Sequence, residues 1–164
     1  MLVGILSDTH DHVAPTTTAL NLLRQAGAEY YIHCGDVGGT AIFDLLAGLP
    51  LAFVWGNTDY DRVELQGYAE SLQLTCHDEL AELELGGAHI AVTHGDNAHV
   101  LRQIISGRKH QYLVHGHTHV ARDQVLNGLR WINPGAVHRS PRPSVAVLDT
   151  VTEKLRFIYL KDAR

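Results

Sequence analysis

The sequence predicts an α/β fold in which two sheets pack against each other and helices cover their outer faces. The first half of the chain alternates apolar, β-branched runs with helical patterns, which is typical of βα units. The last third is rich in strand patterns that follow one another directly, which indicates antiparallel pairing. The 164 residues suffice for a single domain, residues 1–164, with a sizeable core.

The first half contains the predicted βα units. Pro15 suits the first turn of a helix and Gly27 suits its end, with leucines between them on one face. Gly48 marks the end of the next helix in the same way. The predicted elements are strands at 2–6, 30–32 and 51–54 and helices at 15–27 and 40–48.

The second half begins with a hairpin over residues 80–94, which turns at Gly86-Gly87. A helix is predicted over 98–107, where four aliphatic side chains recur at helical spacing. Asn127-Gly128 is a strong hairpin signal between two strands of the last third. The predicted strands there are 112–114, 124–126, 129–132, 144–149 and 154–160.

Composition limits the possible partners and the compartment. The formal net charge of −5 argues against a duplex nucleic-acid binder, which usually has a basic face. The apolar runs are far shorter than a membrane span, and the apolar start at residues 1–6 lacks the basic flank of a signal peptide. Two cysteines, Cys34 and Cys76, provide no disulfide framework. We therefore expect a cytoplasmic protein without membrane partners.

Five short polar segments carry the chemical information, and most of them directly follow an apolar run. Several predicted strands thus deliver polar side chains to one place, and glycines beside those side chains allow sharp backbone turns. The segments are Asp8-Thr9-His10, Gly35-Asp36, Gly56-Asn57-Thr58-Asp59, His94-Gly95-Asp96 and Gly116-His117-Thr118-His119.

These segments supply carboxylate, amide and imidazole ligands. Such a mixture of oxygen and nitrogen donors suits Mn, Fe, Zn or Ni. Seven ligands exceed the needs of one ion once water is counted, so the sequence favours two divalent metal ions. The candidate metal ligands are Asp8, His10, Asp36, Asn57, His94, His117 and His119.

The order of these motifs resembles the calcineurin-like metallophosphoesterase superfamily. The short length and the later Asn133-Pro134-Gly135 are similar to its small bacterial and archaeal phosphodiesterase branch, over about residues 2–160. The resemblance implies a four-layer α/β/β/α sandwich with two packed mixed sheets. It also implies one metal bound by Asp8, His10, Asp36 and His119, and a second bound by Asp36, Asn57, His94 and His117. Asp36 would bridge them.

The implied function is a binuclear metal-dependent phosphodiesterase, a hydrolase that uses a metal-activated water on a small phosphoester substrate. The residues expected to carry catalysis are Asp36, Asn57, Asp59 and His94, with Asp59 orienting a ligand or a neighbouring histidine. Manganese is the first expectation for the metal. The alternative is a non-catalytic scaffold with the same fold, as in the retromer subunit. A homo-oligomer is compatible with either function.

One position departs from the superfamily pattern. In much of the superfamily, the asparagine ligand is followed by a histidine that is thought to protonate the leaving group, and here that position is Thr58. A threonine hydroxyl is a poor general acid near neutral pH. His12 is either a substitute acid or a solvated loop residue. Arg139 or Arg142 either binds phosphate in a bidentate grip or is a solvated charge. Asp96 is expected to cap the next helix or to support His94.

Overall fold

The structure, a computed structural model, describes residues 1–161, which form two mixed sheets and four helices in this part of the chain. The first sheet has the strand order β11-β10-β1-β2-β3-β4. Strands β1 to β4 run parallel, and β10 is antiparallel to both β1 and β11. Its strands are β1 (Leu2–Leu6), β2 (Tyr30–His33), β3 (Leu51–Phe53), β4 (Thr75–Cys76), β10 (Ser144–Asp149) and β11 (Leu155–Tyr159).

The second sheet has the order β5-β6-β7-β9-β8. Its three middle strands, β6, β7 and β9, are parallel to one another, and each outer strand closes an antiparallel hairpin. The strands are β5 (Ala81–Leu85), β6 (Ala88–Val92), β7 (Tyr112–Val114), β8 (Arg122–Leu126) and β9 (Leu129–Asn133). The helices of the chain are α1 (Val13–Gln25), α2 (Thr40–Leu46), α3 (Arg62–Ser71) and α4 (Ala98–Gly107).

Three apolar clusters separate four layers. Alternating residues of β1 show the division, since Val3 and Ile5 pack between the sheets whereas Leu6 packs under the helices. The first sheet buries its outer face against α1, α2 and α3, and the second sheet buries its outer face against α4. The predicted α/β/β/α sandwich is therefore confirmed. No helix described in residues 1–161 combines the length and apolarity that a membrane crossing requires.

Most predicted elements are confirmed, and several differ from the prediction at their ends. Helix α1 starts two residues before the prediction, and Pro15 still lies in its first turn. Strand β8 begins at Arg122, two residues before the predicted start. The sequence pattern missed these residues because they are polar and exposed along a sheet edge. Helix α3 and strand β4 were not predicted. The first contains Gly67, and the second is only two residues long.

The parallel strands bring the polar segments together. The carboxyl ends of β1, β2 and β3 lie at one edge of the first sheet, and those of β6, β7 and β9 lie at one edge of the second. The segments that follow these ends contain the seven candidate ligands. This topology therefore builds the site from the loops of both sheets.

His33, the last residue of β2, is fully buried, and its Nε2 lies 3.0 Å from the Thr9 hydroxyl. Burial lowers the pKa of His33 to about 3. The unfolded chain therefore takes up a proton near pH 6.5 that the folded protein excludes until about pH 3. This contribution to stability is complete above pH 6.5 and is lost as the pH falls.

We expect His33→Gln to reduce the acid sensitivity of folding. Between pH 6 and 4, the free energy of unfolding should fall less steeply than in the wild type, by about 1 kcal/mol per pH unit. Urea unfolding at several pH values, with a chelator present to remove metal effects, measures both slopes. His99→Gln, which alters an exposed histidine of α4, is the control and should keep the wild-type slope. Equal slopes in all three proteins would contradict this prediction.

Candidate metal centre

The loops after β1 and β2 are joined by backbone hydrogen bonds that extend the parallel ladder. The Asp8 N–H donates to the Gly35 carbonyl at 3.1 Å, and the His10 N–H donates to the Asp36 carbonyl at 3.0 Å. These two bonds set the positions of three candidate ligands relative to one another before any side chain is considered.

Five of the seven candidate ligands have a left-handed backbone, which is uncommon for residues other than glycine. Such conformations cost of order 1 kcal/mol or more each and concentrate at functional sites. They turn consecutive side chains out of the strand direction and toward one point. The residues and their φ values are Asp8 (57°), His10 (46°), Asp36 (54°), His117 (66°) and His119 (58°).

The first ligand group consists of Asp8, His10, Asp36 and His119. One ligand atom from each lies within 4.8 Å of all the others, which is the span expected around a single ion. His119 Nε2 is 3.1 Å from Asp8 Oδ1, and His10 Nε2 is 3.7 Å from Asp36 Oδ2. The structure thus brings together the four residues that the resemblance implies for one metal.

The second group consists of Asp36, Asn57, His94 and His117. His94 Nε2 lies 3.5 Å from Asp36 Oδ2 and 3.1 Å from Asn57 Oδ1. His117 Nδ1 lies 3.0 Å from the same Asn57 oxygen. Asp36 Oδ2 therefore faces both groups, which is the position that a bridging carboxylate would occupy.

Hydrogen bonds to carbonyls fix the imidazole tautomers in both groups. His94 Nδ1 donates to the Cys34 carbonyl at 2.7 Å, and His119 Nδ1 donates to the Arg139 carbonyl at 3.0 Å. A neutral ring held in this way presents a lone pair at Nε2. In both rings that lone pair faces a carboxylate, so a positive charge is needed between the two acceptors.

Buried polar atoms that lack hydrogen-bond partners also indicate that a positive charge is required here. Both carboxylate oxygens of Asp8 and Nε2 of His10 are buried without a hydrogen-bond partner among the described residues. Unsatisfied buried polar atoms are rare in native proteins, and each one requires an explanation. A divalent cation bound at these atoms would satisfy them, so the residues present fit a metal.

The pKa shifts follow from burial and from close contacts. Burial raises the pKa of Asp8 and lowers that of His10 to about 4, so the His10 ring stays neutral. Burial also raises the pKa of Asp36, but a protonated His94 ring and the hydrogen bond from the Thr58 N–H outweigh it and hold this pKa well below its usual range. A cation bound between His94 and Asp36 would take the place of that second imidazole proton and leave the ring neutral. For His94, burial lowers the pKa, but the contact with Asp36 outweighs it, and the pKa is raised.

Glycine is required at two positions because neighbouring atoms leave no room for a Cβ, and not because the backbone turns sharply there. A Cβ on Gly56 would lie 2.1 Å from Asp36 Oδ1, and a Cβ on Gly116 would lie 1.9 Å from the Ser7 hydroxyl oxygen. Neither glycine has a positive φ. The expectation that all the neighbouring glycines serve to turn the backbone is therefore wrong at these two positions.

Asp59 contacts backbone rather than a ligand side chain. Its two carboxylate oxygens accept hydrogen bonds from the N–H groups of Gly38 at 2.9 Å and Gly56 at 2.8 Å. Arg62 donates to the carbonyls of Gly56 and Asp59 from the other side. Asp59 thus joins the loop after β2 to the loop after β3, which places Asp36 beside Asn57.

Thr58 contacts both ligand groups. Its N–H donates to Asp36 Oδ1 at 2.9 Å, and its hydroxyl lies 3.4 Å from His10 Nδ1. His12 stands at the N-cap of α1, and its ring stacks on that of His138 with 3.3 Å between the ring centroids.

No structural role was predicted for Asn133, which entered the sequence analysis only as part of the Asn133-Pro134-Gly135 motif. Asn133 is fully buried, and its amide donates to the Gly116 carbonyl at 2.7 Å and to the Thr118 hydroxyl at 3.1 Å. It therefore fixes the loop that carries His117 and His119. Its position at the end of β9 is the same signal that identified the ligands. A separate expectation, that Asp96 caps α4, is wrong, since Asn97 accepts the capping hydrogen bonds.

Comparisons with known proteins agree with this geometry. A phosphodiesterase of Methanocaldococcus jannaschii is 27% identical over 166 residues, which cover 98% of this chain and all of that protein. The solved structure of an archaeal phosphodiesterase is 26% identical, with a TM-score of 0.87 over 97% of this chain and 99% of that one. Vps29 of Entamoeba histolytica, solved with zinc, shares the fold with a TM-score of 0.68 at 19% identity, over 98% and 99% of the two chains.

The match to a family model decides the classification. The model of the calcineurin-like phosphoesterase superfamily domain matches residues 1–153, which is nearly the whole chain. The prediction of a phosphoesterase, a hydrolytic enzyme with a site for metal ions, is thereby confirmed. The chain belongs to the calcineurin-like phosphoesterase superfamily.

Proposed function

We propose that this protein is a phosphodiesterase that works with two divalent metal ions. One ion would be held by Asp8, His10 and His119, and the other by Asn57, His94 and His117. Asp36 would bind both ions. The observation that carries this proposal is the place of Asp36 Oδ2, 3.7 Å from His10 Nε2 and 3.5 Å from His94 Nε2. When bound there, the two ions would activate a water molecule and stabilise the charge that develops during phosphoryl transfer.

The protein's own residues orient the ligands and determine where substrate enters. The Cys34 and Arg139 carbonyls hold two imidazole rings with their Nε2 atoms toward the site. Asp8 and His10 are buried, whereas Asn57 and His117 are exposed. The second ligand group is therefore open to solvent and accessible to a phosphoryl group. The site needs no side-chain nucleophile, because phosphoryl transfer depends mainly on positioning and charge stabilisation.

Leaving-group protonation is the weak part of this machinery. Position 58 offers a hydroxyl that already lies against His10, so it supplies no efficient general acid. We infer that the enzyme prefers diesters whose leaving group departs without a proton, such as activated aryl esters. We expect manganese to support activity in vitro.

A non-catalytic scaffold explains the features of the site less well than an enzyme does. A protein-binding scaffold has no use for a buried Asp8 carboxylate that lacks hydrogen-bond partners among the described residues, or for five candidate ligands with a left-handed backbone, and both features cost stability. Metal-dependent turnover of a phosphodiester by the purified protein separates the two functions. Inactivity with Mn, Fe, Zn and Ni toward a broad phosphoester panel would favour the scaffold.

Asp36→Ala tests the bridging role. We expect the variant to lose most of its bound metal and at least about a hundredfold in turnover, since even outer-shell changes at metal sites cost 10–100-fold. Metal content by mass spectrometry and hydrolysis of bis(p-nitrophenyl) phosphate measure the two effects. Glu84→Ala, which removes an exposed carboxylate of β5, is the control and should keep both properties. Intact metal content in Asp36→Ala would refute the shared carboxylate.

Gly56→Ala tests the close packing around Asp36. The added methyl group would overlap Asp36 Oδ1, so we expect the carboxylate to shift and the metal affinity to fall about tenfold or more. Competition with a chromogenic chelator measures this affinity. Gly67→Ala, in α3, meets open space and should leave metal binding unchanged while raising stability by about 0.5–1 kcal/mol. A Gly56→Ala variant with the metal affinity of the wild type would contradict this prediction, because it would show that the loop can shift without displacing the Asp36 carboxylate.

Leaving-group dependence tests the absence of a general acid. In the wild type, log(kcat/KM) should fall steeply as the pKa of the phenol rises along a series of aryl methyl phosphodiesters. Thr58→His should make this dependence shallower, because the imidazolium can donate a proton to the departing oxygen. Thr58→Ser, which keeps a hydroxyl, should retain the steep slope. A flat dependence in the wild type would be incompatible with this interpretation.

A further inference from the structure

A cleft of about 300 Å³ opens beside the first ligand group. It is lined by His10, Asp11, Gly38, Thr58, Tyr60 and Arg139. The cleft thus reaches from His10, a candidate metal ligand, to the exposed side chains of Tyr60 and Arg139.

Tyr60 is the most unusual of these side chains. It is 82% exposed, and it makes no hydrogen bond or ring contact with any residue in the described part of the chain. Other tyrosines have a structural partner, since Tyr68 donates to Asp44 and the ring of Tyr159 lies under Arg142. The fold therefore does not account for an aromatic ring at position 60.

Arg139 is held at the same cleft by its backbone. Its carbonyl accepts the hydrogen bond from His119 Nδ1, and its side chain is exposed. Arg139 and His10 line the same cleft. A guanidinium in this position suits bidentate binding of phosphoryl oxygens.

The charges of the cleft indicate what fits next to the phosphoryl group. Apart from the proposed metal ions, Asp11 contributes one negative charge and Arg139 one positive charge, so the side chains of the cleft supply no surplus positive charge for a second phosphate. The flat face of Tyr60 favours a planar, uncharged group, because aromatic rings gain from stacking in addition to the area that they bury.

We propose that this cleft binds a planar aromatic group of the substrate, such as an aryl ring or a nucleobase, against Tyr60, while Arg139 contacts the phosphoryl oxygens. The proposal rests on the proposed function, and it narrows the substrate class to phosphodiesters that carry a planar aromatic group.

Two phosphonate monoanions test the subsite without an activated leaving group, because their P–C bond resists hydrolysis and only methoxide could depart. Methyl phenylphosphonate and methyl cyclohexylphosphonate have the same charge and a similar size, but only the first is planar and aromatic. Their inhibition constants are measured against hydrolysis of bis(p-nitrophenyl) phosphate by the manganese-loaded enzyme. We expect the wild type to bind the phenyl compound about three- to tenfold more tightly, as aromatic stacking predicts.

Variants at exposed positions assign this preference to Tyr60. Tyr60→Leu should abolish the preference, whereas Tyr60→Phe should keep it. Val63→Ala, which alters a side chain that is 92% exposed and lies outside the cleft, should retain the wild-type constants. Arg139→Gln should weaken both inhibitors to a similar extent, because it removes a contact to the phosphonate that they share.

The possible failures are distinguishable. An active wild type that binds both inhibitors equally, or a Tyr60→Leu variant that keeps the preference, would overturn the aromatic subsite and leave the phosphodiesterase intact. A wild type that hydrolyses no phosphodiester with any of the four metals would overturn the proposed function and, with it, this subsite.

Discussion

The hydrogen bond from His94 Nδ1 to the Cys34 carbonyl is the contact on which the site depends most directly. It spans 2.7 Å and joins the loop after β6 in the second sheet to the end of β2 in the first. The same bond places the proton on Nδ1, so that Nε2 faces Asp36 with a lone pair. One interaction therefore links the two sheets at the site and sets the tautomer of a candidate ligand.

Apolar packing around the site offsets the free energy that its strained backbone and unpaired carboxylate cost. Five left-handed ligand residues and an unpaired buried carboxylate destabilise the edge of the sandwich. Three apolar clusters above, between and below the sheets provide the compensating stability. Asp59 and Asn133 then restrict the loops through backbone contacts, which leaves the ligands little freedom to relax.

The layers and the ligand cluster could be predicted because both follow from local patterns. Apolar runs that end in Asp, His or Asn mark strand ends, and parallel strand ends meet at one edge. Long-range contacts could not be predicted in this way. Gly116 is required by Ser7, which lies more than one hundred positions earlier, and Asn133 by the Gly116 carbonyl. Helix α3 was missed because Gly67 and a mostly polar sequence weaken its apolar face.

Thr58 connects the mechanism with substrate choice. Its N–H and hydroxyl support Asp36 and His10, so a position that could hold an acid instead contributes to ligand geometry. Under the proposed function, a reaction without that acid would depend on leaving groups that are stable as anions. Phenolates satisfy this requirement, and they are also planar. The cleft that Thr58 shares with Tyr60 is the proposed subsite for planar groups. Two independent features of the chain, a hydroxyl at position 58 and an exposed aromatic ring at position 60, are therefore consistent with the same proposed substrates.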